Sequence, residues 1–350
     1  MAPLHRAPPE PSRGGAGQAQ GAGHRPRAAP TGVGSGGPRL AVLAGGVGAA
    51  RFLDGLVRAT PEARITVVGN TGDDFQVHGL HVSPDLDTVS YSLSGLGDWE
   101  RGWGLRQETF AALGQFRRLG EEDWFQIGDR DLAIHVWRTE QLRRGRRLSE
   151  VTRLLAERLS LPLQLLPMTD HTVTTRVHTQ DGRDLHLQEY LVRERCQPAI
   201  ARIEFRGVER ARPGPGVLEA VREADLVLIA PSNPVISIGP ILALPGVRAE
   251  LQAAARVLAV SPIVQGRALK GPAVQMLSSL GVEASASGVA QLYADVATDF
   301  VLDQEDRSEA AAVSELGLRP HLCHTVMTDA AARLRLAREA LAAVEVGMRP

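Results

Sequence analysis

The chain is poor in cysteine, in aromatic residues and in net charge, and each shortage argues against a class of protein. Only two of its 350 residues are cysteines, Cys196 and Cys323, and their spacing suits neither a disulfide scaffold nor a metal site. Lysine and arginine total 39 against 40 acids, so a net charge of -1 gives no basis for general attraction to nucleic acid or to a membrane. No apolar run has the length of a membrane span. We therefore expect a soluble protein of the reducing cytoplasm.

Several well-defined catalytic motifs are missing as well. There is no G-x-x-x-x-G-K-[ST] loop, which excludes a P-loop ATPase, and no G-x-S-x-G turn for a serine nucleophile. The ten histidines form no H-E-x-x-H pattern, and neither cysteine stands in an activating context. The sequence therefore supports neither covalent catalysis nor a zinc centre.

The first 38 residues differ in composition from the rest of the chain. They are rich in glycine, alanine, proline and arginine, and Glu10 is their only acid. A segment without an apolar period cannot bury enough surface to offset the entropy lost on ordering. It also lacks the continuous apolar core of a secretion signal. We predict a disordered tail, or an over-extended start, over residues 1–38.

A strand and a glycine-rich turn follow this segment. The apolar strand Arg39–Ala44 leads into the turn Gly45–Gly48, and a helix is predicted over Ala49–Ala59. Such glycines let the backbone approach an anion that the amides at the helix start face, although turn geometry alone also explains them. The third glycine of the dinucleotide motif is replaced by Arg51, and the acid expected after the second strand is Asn70. A nicotinamide or flavin-adenine oxidoreductase is therefore disfavoured.

Four carboxylates lie close together in the next stretch, Ile65–Thr88. The strand Ile65–Val68 is followed by a loop, and a helix start with serine as N-cap and proline in the first turn is predicted at Ser83. The acids of the loop and of the helix start are Asp73, Asp74, Asp85 and Asp87. At the carboxyl edge of a parallel sheet these oxygen ligands suit Mg²⁺, which takes one or two carboxylates together with substrate phosphates. An alternative stays open, in which the helix acids complement the helix dipole and the loop acids belong to a turn.

Two later strands also end in polar residues. Asp225–Ala230 and Val257–Val260 are almost continuous apolar runs, typical of central parallel strands that are buried on both faces. The first run leads to Ser232 and Asn233, the second to Ser261, and prolines beside them are expected to delay the next helix. We predict that these residues share one polar rim.

Two further motifs each allow two interpretations. Trp99, Trp103 and Trp124 are concentrated in a short region, where they wall a planar ligand or pack in the core, and packing is the favoured interpretation. The sequence Gly128–Asp131 opens a helix and reads either as a cap with an internal ion pair or as a site for a phosphate or metal.

The order of the elements predicts an α/β fold. We expect a Rossmann-like, mainly parallel sheet with helices on both faces over residues 39–330. An inserted helical and hairpin region is expected at about residues 97–200, with a hairpin that turns at Asp181-Gly182. A C-terminal helix over residues 331–350 is expected to pack on this domain.

Taken together, the motifs resemble the 2-phospho-L-lactate transferase family of deazaflavin coenzyme biosynthesis, over about Arg39 to Asp329. The turn at Gly45 also occurs in a more distant family, the sugar-nucleotide-binding gluconeogenesis factors, whereas the sequences SPDLDT and GDRD look like the transferase branch. The motifs that carry the resemblance, in chain order, are GGVGAARFL at Gly45, NTGDD at Asn70, SPDLDT at Ser83, GDRD at Gly128, APSNP at Ala230, SPI at Ser261 and residues 322–329.

The resemblance implies an Mg²⁺-dependent enzyme, usually a homodimer. Such enzymes transfer a phosphoenolpyruvyl or 2-phospho-L-lactyl group from a guanosine diphosphate-linked donor to the ribityl hydroxyl of the deazaflavin Fo, and GMP leaves. The turn at Gly45 looks like the bacterial form, for which the enolpyruvyl donor is expected. A non-catalytic nucleotide-sugar-binding regulator on the same fold is the alternative function.

The resemblance and the pattern together give a hypothesis for each site residue. We assign the donor phosphates to Gly45, Gly46 and Gly48, and the nucleotide to Ser232 and Asn233. We assign Mg²⁺ binding or alignment of the attacking hydroxyl to Asp85 and Asp87, with support from Asp74. Further substrate contacts are predicted for Asn70, Ser261 and Gln126, the last at a position where some family members have a basic residue.

Overall fold

A computed structural model of the chain describes residues 37–268 and 272–344. The predicted tail over residues 1–38 lies outside this part, apart from its last two residues. The strands are β1 (Arg39–Ala44), β2 (Arg64–Gly69), β3 (Phe75–Val77), β4 (Leu80–Val82), β5 (Gln164–Pro167), β6 (Thr174–Thr179), β7 (Asp184–His186), β8 (Ile200–Arg206), β9 (Leu226–Ile229), β10 (Val257–Val260), β11 (Ile263–Val264), β12 (Arg267–Ala268), β13 (Asp299–Asp303) and β14 (Arg319–Cys323).

Helices connect and cover these strands. The α-helices are α1 (Gly46–Ala59), α2 (Pro84–Leu93), α3 (Ala111–Arg118), α4 (Asp129–Arg143), α5 (Leu148–Arg158), α6 (Val217–Arg222), α7 (Gly239–Leu242), α8 (Val247–Ala253), α9 (Ala273–Ser279), α10 (Ala286–Tyr293), α11 (Ala310–Glu315) and α12 (Ala330–Ala343). Short π-helical turns occupy Glu189–Arg193 and Pro234–Ile238. Helix α1 begins at Gly46, three residues before the predicted start, because the glycine turn itself forms its first turn.

The main sheet has seven strands in the order β14-β13-β10-β9-β1-β2-β5, and every neighbouring pair is parallel. The predicted α/β class with a parallel sheet is therefore confirmed. Chain order runs outward from β1 in both directions, to β2 and β5 on one side and to β9 and β10 on the other. The two directions part between β1 and β9, which is the point where open α/β sheets form a ligand crevice.

Side chains of β1 alternate between two hydrophobic cores, as the period of a strand requires. Leu40 and Val42 pack with α1, α2 and α12, whereas Ala41 and Leu43 pack with the helices of the opposite face. All four are almost fully buried. Burial on both faces explains why the central strands are nearly continuous apolar runs in the sequence.

The region about 97–200 is more finely divided than the sequence suggested. Helices α3 and α4 precede β5, which is the edge strand of the main sheet. The hairpin of β6 and β7 then pairs with β8 in a separate antiparallel sheet that extends to Arg206. Two insertions therefore flank one strand of the main sheet.

Within residues 37–268 and 272–344, no single helix is long and apolar enough to cross a bilayer. One bent pair of helical segments, Pro234–Leu242 with Val247–Ala253, could do so by length and composition only.

Candidate active site

The glycine turn and the end of β9 meet at the point where the strand order divides. The backbone amide of Gly45 donates to the hydroxyl of Ser232 at 3.2 Å, which links the carboxyl ends of β1 and β9. A Cβ on Gly48 would lie 2.1 Å from the backbone oxygen of Pro231, so only glycine allows this approach. Gly46 has φ of +69°, in the left-handed region that also favours glycine. The turn therefore places helix α1 with its N-terminus directly beside the β9 loop.

Two carboxylates lie beside this turn, and one side chain bridges them. The amide nitrogen of Asn70 donates to Asp85 at 2.9 Å and to Asp73 at 3.3 Å. Asp85 also lies against the glycine turn and Ser237, because a Cβ on Gly45 would come within 2.3 Å of Asp85 Oδ2 and 2.7 Å of the Ser237 Cβ. Asp85 enters from the first turn of α2 and Asp73 from the loop after β2, as the sequence pattern suggested for acids at a strand exit and a helix mouth.

Both carboxylates resist ionisation in this setting. Burial raises the pKa of Asp85 to about 6, although hydrogen bonds oppose the shift. Burial also raises the pKa of Asp73 well above its usual range, and the charges of Asp85 and Asp74 add to the effect. Two buried acids that repel each other are a favourable place for a cation.

Asp87 has a different setting from the one predicted. Both of its oxygens accept hydrogen bonds from the guanidinium of Arg138 on α4, and both residues are buried. His135 and Asp131 extend this network, with Asp131 accepting from the Tyr91 hydroxyl at 2.5 Å. Asp87 lines neither of the cavities at the glycine turn described below. Its contacts fasten α2 to α4 rather than reaching the turn.

Asp74 points away from Asp73 towards another cavity. One of its oxygens accepts from the Ser83 hydroxyl at 2.8 Å and lies 3.0 Å from His81 Nε2. Ser83 is the N-cap residue of α2, as predicted, but its side chain bonds to Asp74 and makes no cap bond. Asp74 lines a polar cavity of about 1050 Å³ beside the β3–β4 hairpin, together with His78. This polar cavity includes neither the glycine turn nor the two paired carboxylates.

Two smaller cavities meet at the glycine turn. The first, which we call the glycine-turn cavity, measures about 360 Å³. The second, the aromatic cavity, measures about 410 Å³. They share the wall residues Gly46, Val47, Leu191, Ile236 and Ser237.

The glycine-turn cavity brings together most of the predicted donor-binding residues. Its lining includes Gly45, Gly46, Gly48, Ser232 and Asn233. Residues 230–233 separate β9 from the next helical turn, so the predicted delay of the helix is confirmed. The turn begins at Pro234, and Asn233 Oδ1 caps it by accepting the amide of Val235 at 2.9 Å.

Ser261 is not brought to this lining. It is fully buried, and its hydroxyl bonds to the backbone amide and oxygen of Ile263 at 3.1 and 3.0 Å. Ser261 thus closes the turn after β10. The predicted polar rim therefore consists of Ser232 and Asn233 after β9 and does not include Ser261.

The aromatic cavity contains the paired carboxylates and a largely apolar wall. Asn70, Asp73, Asp85 and Gln126 line it together with Phe125, Trp103 and aliphatic side chains of the turn after β7. Gln126 donates to the backbone oxygen of Asp123 at 2.9 Å, which fixes its amide at the cavity. Core packing was the favoured interpretation of the tryptophans and is wrong for Trp103, which is 39% exposed.

Three residues of this cavity, Asp73, Gln188 and Ser237, are not predicted as site residues from the sequence. Asp73 was seen as part of the acidic loop, but only Asp74 was assigned a role. Gln188 donates to Asp73 at 3.0 Å and lies in a region where nothing catalytic had been recognised. Ser237 follows β9 without a recognisable motif. The adjacent pair Asp73-Asp74 was the one signal available, and it does not reveal which carboxylate faces the site.

The motif Gly128–Asp131 is structural in its visible contacts. Asp129 accepts the amides of Ala111 and Ala112 at 2.9 Å and so caps α3, while Glu108 accepts the amides at the start of α4. Asp129 of α4 therefore caps α3, and Glu108, just before α3, caps α4. The ion pair that one interpretation placed within the motif does not form.

Comparison with known proteins identifies the family. The sequence profile described as "2-phospho-L-lactate transferase CofD" matches residues 40–343. This chain belongs to that family. A phosphoenolpyruvate transferase of Streptomyces avermitilis is 46% identical over 314 residues, covering 88% of this chain and 98% of the relative. A 2-phospho-L-lactate transferase of Methanosarcina mazei is 39% identical over 290 residues, covering 83% and 95%.

Solved structures support the fold of this CofD-family transferase. A crystal structure of a UPF0052 family member from Bacillus halodurans superposes with a TM-score of 0.56 at 16% identity, covering 83% of this chain and 94% of that one. At this identity the likeness concerns the fold alone.

The residues present fit a magnesium ion that is held by only two protein carboxylates. Among residues 37–268 and 272–344, no group of three or more histidine, cysteine or acidic side chains is arranged to hold a metal. The pair Asp73 and Asp85 supplies two hard oxygen donors at raised pKa, and Mg²⁺ commonly takes that number when substrate phosphates complete its shell.

Proposed function

We propose that this chain transfers a phosphoenolpyruvyl group from a guanosine diphosphate-linked donor to the ribityl hydroxyl of the deazaflavin Fo. GMP is released, Mg²⁺ is required, and the product belongs to the biosynthesis of coenzyme F-420. The observation that carries the proposal is the pair of cavities that share a wall at Gly46 and Ser237, with Asp85 lining the aromatic cavity beside that wall. One cavity suits a phosphorylated donor and the other a planar acceptor.

The donor is assigned to the glycine-turn cavity. Backbone amides at the start of α1 suit a diphosphate, since the N-terminus of a helix attracts anions. The hydroxyl of Ser232 and the amide of Asn233 are polar groups beside the nucleotide end of this cavity. The enolpyruvyl donor is preferred over the lactyl donor because three Streptomyces relatives, named phosphoenolpyruvate transferases, are 43–46% identical, against 39–40% for two Methanosarcina relatives named 2-phospho-L-lactate transferases.

The acceptor is assigned to the aromatic cavity. Trp103 and Phe125 offer faces on which a flat ring system can stack, and Gln126 offers an amide at the same wall. In this arrangement the ribityl chain extends towards Asp85, beside the wall that the two cavities share. The hydroxyl at its end is then aligned with the donor phosphorus on the other side of the shared wall.

The reaction needs positioning and charge stabilisation rather than a covalent enzyme intermediate. The ribityl oxygen forms a bond to phosphorus, the bond from phosphorus to the GMP oxygen breaks, and the hydroxyl proton leaves. Asp85 is well placed to accept that proton, because its carboxylate lines the aromatic cavity beside the wall shared with the donor cavity. A bound Mg²⁺ would supply neutralisation of charge on the phosphates. Asp73 and Asp85 are the residues that would hold it.

Asp74 and Asp87 leave the proposed metal set. Asp87 is engaged by Arg138, and Asp74 lines the separate polar cavity. Assembly as a homodimer and a location in the cytoplasm stay predictions, to which light scattering of the purified chain and fractionation of cells apply.

The deciding experiment is incubation of the purified chain with Fo, Mg²⁺ and each guanylated donor in turn, followed by mass spectrometry. We expect a product heavier than Fo by the phosphoenolpyruvyl group, together with one GMP per product. Titration calorimetry with Fo separates the alternative, since a nucleotide-sugar-binding regulator has no reason to bind a deazaflavin. Tight nucleotide binding without Fo binding or transfer would overturn the proposal.

A further inference from the structure

Arg51 is a half-buried cation in the wall of the glycine-turn cavity. It lies on α1, one turn beyond Gly48, and lines the same cavity as the glycine turn. Its one recorded hydrogen bond is long, from Nη1 to the backbone oxygen of Met327 at 3.4 Å. Its Nε is buried and has no partner among the described residues. Most of the hydrogen-bonding capacity of this guanidinium is thus unused.

The charge of Arg51 is also uncompensated within the described part of the chain. No acidic side chain of residues 37–268 or 272–344 forms an ion pair with it, whereas nearby Arg58 and Arg333 both pair with Asp54, at 2.5 and 3.2 Å. Burial lowers the pKa of Arg51, and the charge of Arg333 lowers it further. The buried Nε of Arg51 and its unpaired charge therefore favour an anionic ligand that supplies a hydrogen bond and a counter-charge.

We propose that Arg51 binds the diphosphate of the nucleotide donor. A guanidinium forms two parallel hydrogen bonds to phosphate oxygens, and it keeps its charge even where burial disfavours ionisation. The glycine turn and Arg51 then hold the same anion, the turn through backbone amides and Arg51 through its side chain. This inference rests on the proposed function, because it takes the donor to occupy the glycine-turn cavity.

The test compares binding of GDP, GMP and guanosine to the full chain by titration calorimetry. The variants are Arg51→Met and Arg51→Lys. Methionine keeps much of the side-chain length without the charge, and lysine keeps the charge without the two parallel N–H donors of the guanidinium. We expect Arg51→Met to weaken GDP binding about 10- to 100-fold, from the usual worth of a charged hydrogen bond. The loss for GMP should be smaller, guanosine should be unaffected, and Arg51→Lys should recover part of the loss.

Arg58→Met is the matched control, because Arg58 lies on the same helix, pairs with Asp54 and does not line the cavity. It should bind all three ligands as the unchanged chain does. Because Arg51→Met removes an uncompensated cation, its melting temperature without ligand should not fall, which separates lost binding from lost folding.

Three results would overturn the inference. If Arg51→Met binds GDP normally, or loses guanosine and GDP affinity equally, Arg51 does not hold the diphosphate. If GDP affinity is unchanged but the complete guanylated donor binds more weakly, the guanidinium holds the carboxylate of the donor instead. If the unchanged chain binds none of the three ligands, the proposed function fails together with this inference.

Discussion

Replacement of Asp85 by asparagine removes a carboxylate whose ionisation the fold opposes. Its pKa rises from 3.8 to about 6 on folding, a difference of roughly 2 units. One unit is worth about 1.36 kcal/mol, so the ionised group costs the folded state about 3 kcal/mol well above pH 6. Since the folded pKa is the higher one, the favourable contribution is complete below pH 3.8 and is lost as the pH rises through about 6.

Asp85→Asn should therefore gain stability relative to the unchanged chain as the pH rises. Linkage gives a cost of about 1.5 kcal/mol at pH 5 and about 3 kcal/mol at pH 8, a difference of about 1.5 kcal/mol. The measurement is the free energy of unfolding in urea, for both proteins, at these two pH values and with divalent ions removed. The changed hydrogen bond from Asn70 contributes equally at both pH values. Asp73, whose pKa is raised by the charge of Asp85, ionises more easily in the variant and adds to the gain at pH 8.

Asp181, an exposed carboxylate whose pKa is lowered and not raised, provides the control. Hydrogen bonds from Arg183 and then Thr179 lower the pKa of Asp181 to about 2, so Asp181→Asn should gain no stability between pH 5 and pH 8. Magnesium added at pH 8 should stabilise the unchanged chain and have little effect on Asp85→Asn. If the stability difference between Asp85→Asn and the unchanged chain is the same at pH 5 and pH 8, the conclusion that burial raises the pKa of Asp85 is wrong.

Three further substitutions test other parts of the site. Asp87→Asn should lose about 3–5 kcal/mol of unfolding free energy in urea, because Arg138 is left buried without its partner. The fraction that remains folded should keep the normal magnesium dependence of transfer. Unchanged stability with lost magnesium dependence would return Asp87 to the metal site. Gly48→Ala should lower transfer at least about tenfold by overpacking against backbone, whereas the control Gly114→Ala, where a Cβ meets nothing within 4 Å, should keep full activity in the same assay. Trp103→Ala should raise KM for Fo roughly 5- to 100-fold, as lost stacking usually does, and an equal rise in KM for the donor would contradict its place in the acceptor cavity.

The fold and the position of the site could be predicted because they depend on local patterns. β1, β9 and β10 are buried on both faces, so their apolar runs stand out from the sequence, and the glycine turn after β1 marks the carboxyl edge of the sheet. Asp85 was found for the same reason, since it follows a serine and a proline at a helix start.

The assignment of individual acids could not be made in this way. Asp73 and Asp74 are neighbours in one loop, and their directions are fixed by Gln188 and His81, which come from other elements. Asp87 is two residues from Asp85 on a helix, and residues at that spacing do not face the same side. Its partner Arg138 is 51 residues away, so the pairing depends on how α4 packs.

The shared wall between the two cavities links their ligands thermodynamically. Val47 and Ile236 face both spaces, so a ligand that shifts either side chain changes both binding equilibria. By reciprocity, any factor by which nucleotide strengthens deazaflavin binding is the factor by which deazaflavin strengthens nucleotide binding. With donor and acceptor placed as proposed, one narrow strip of aliphatic surface thereby couples the saturation curves of two chemically unrelated molecules.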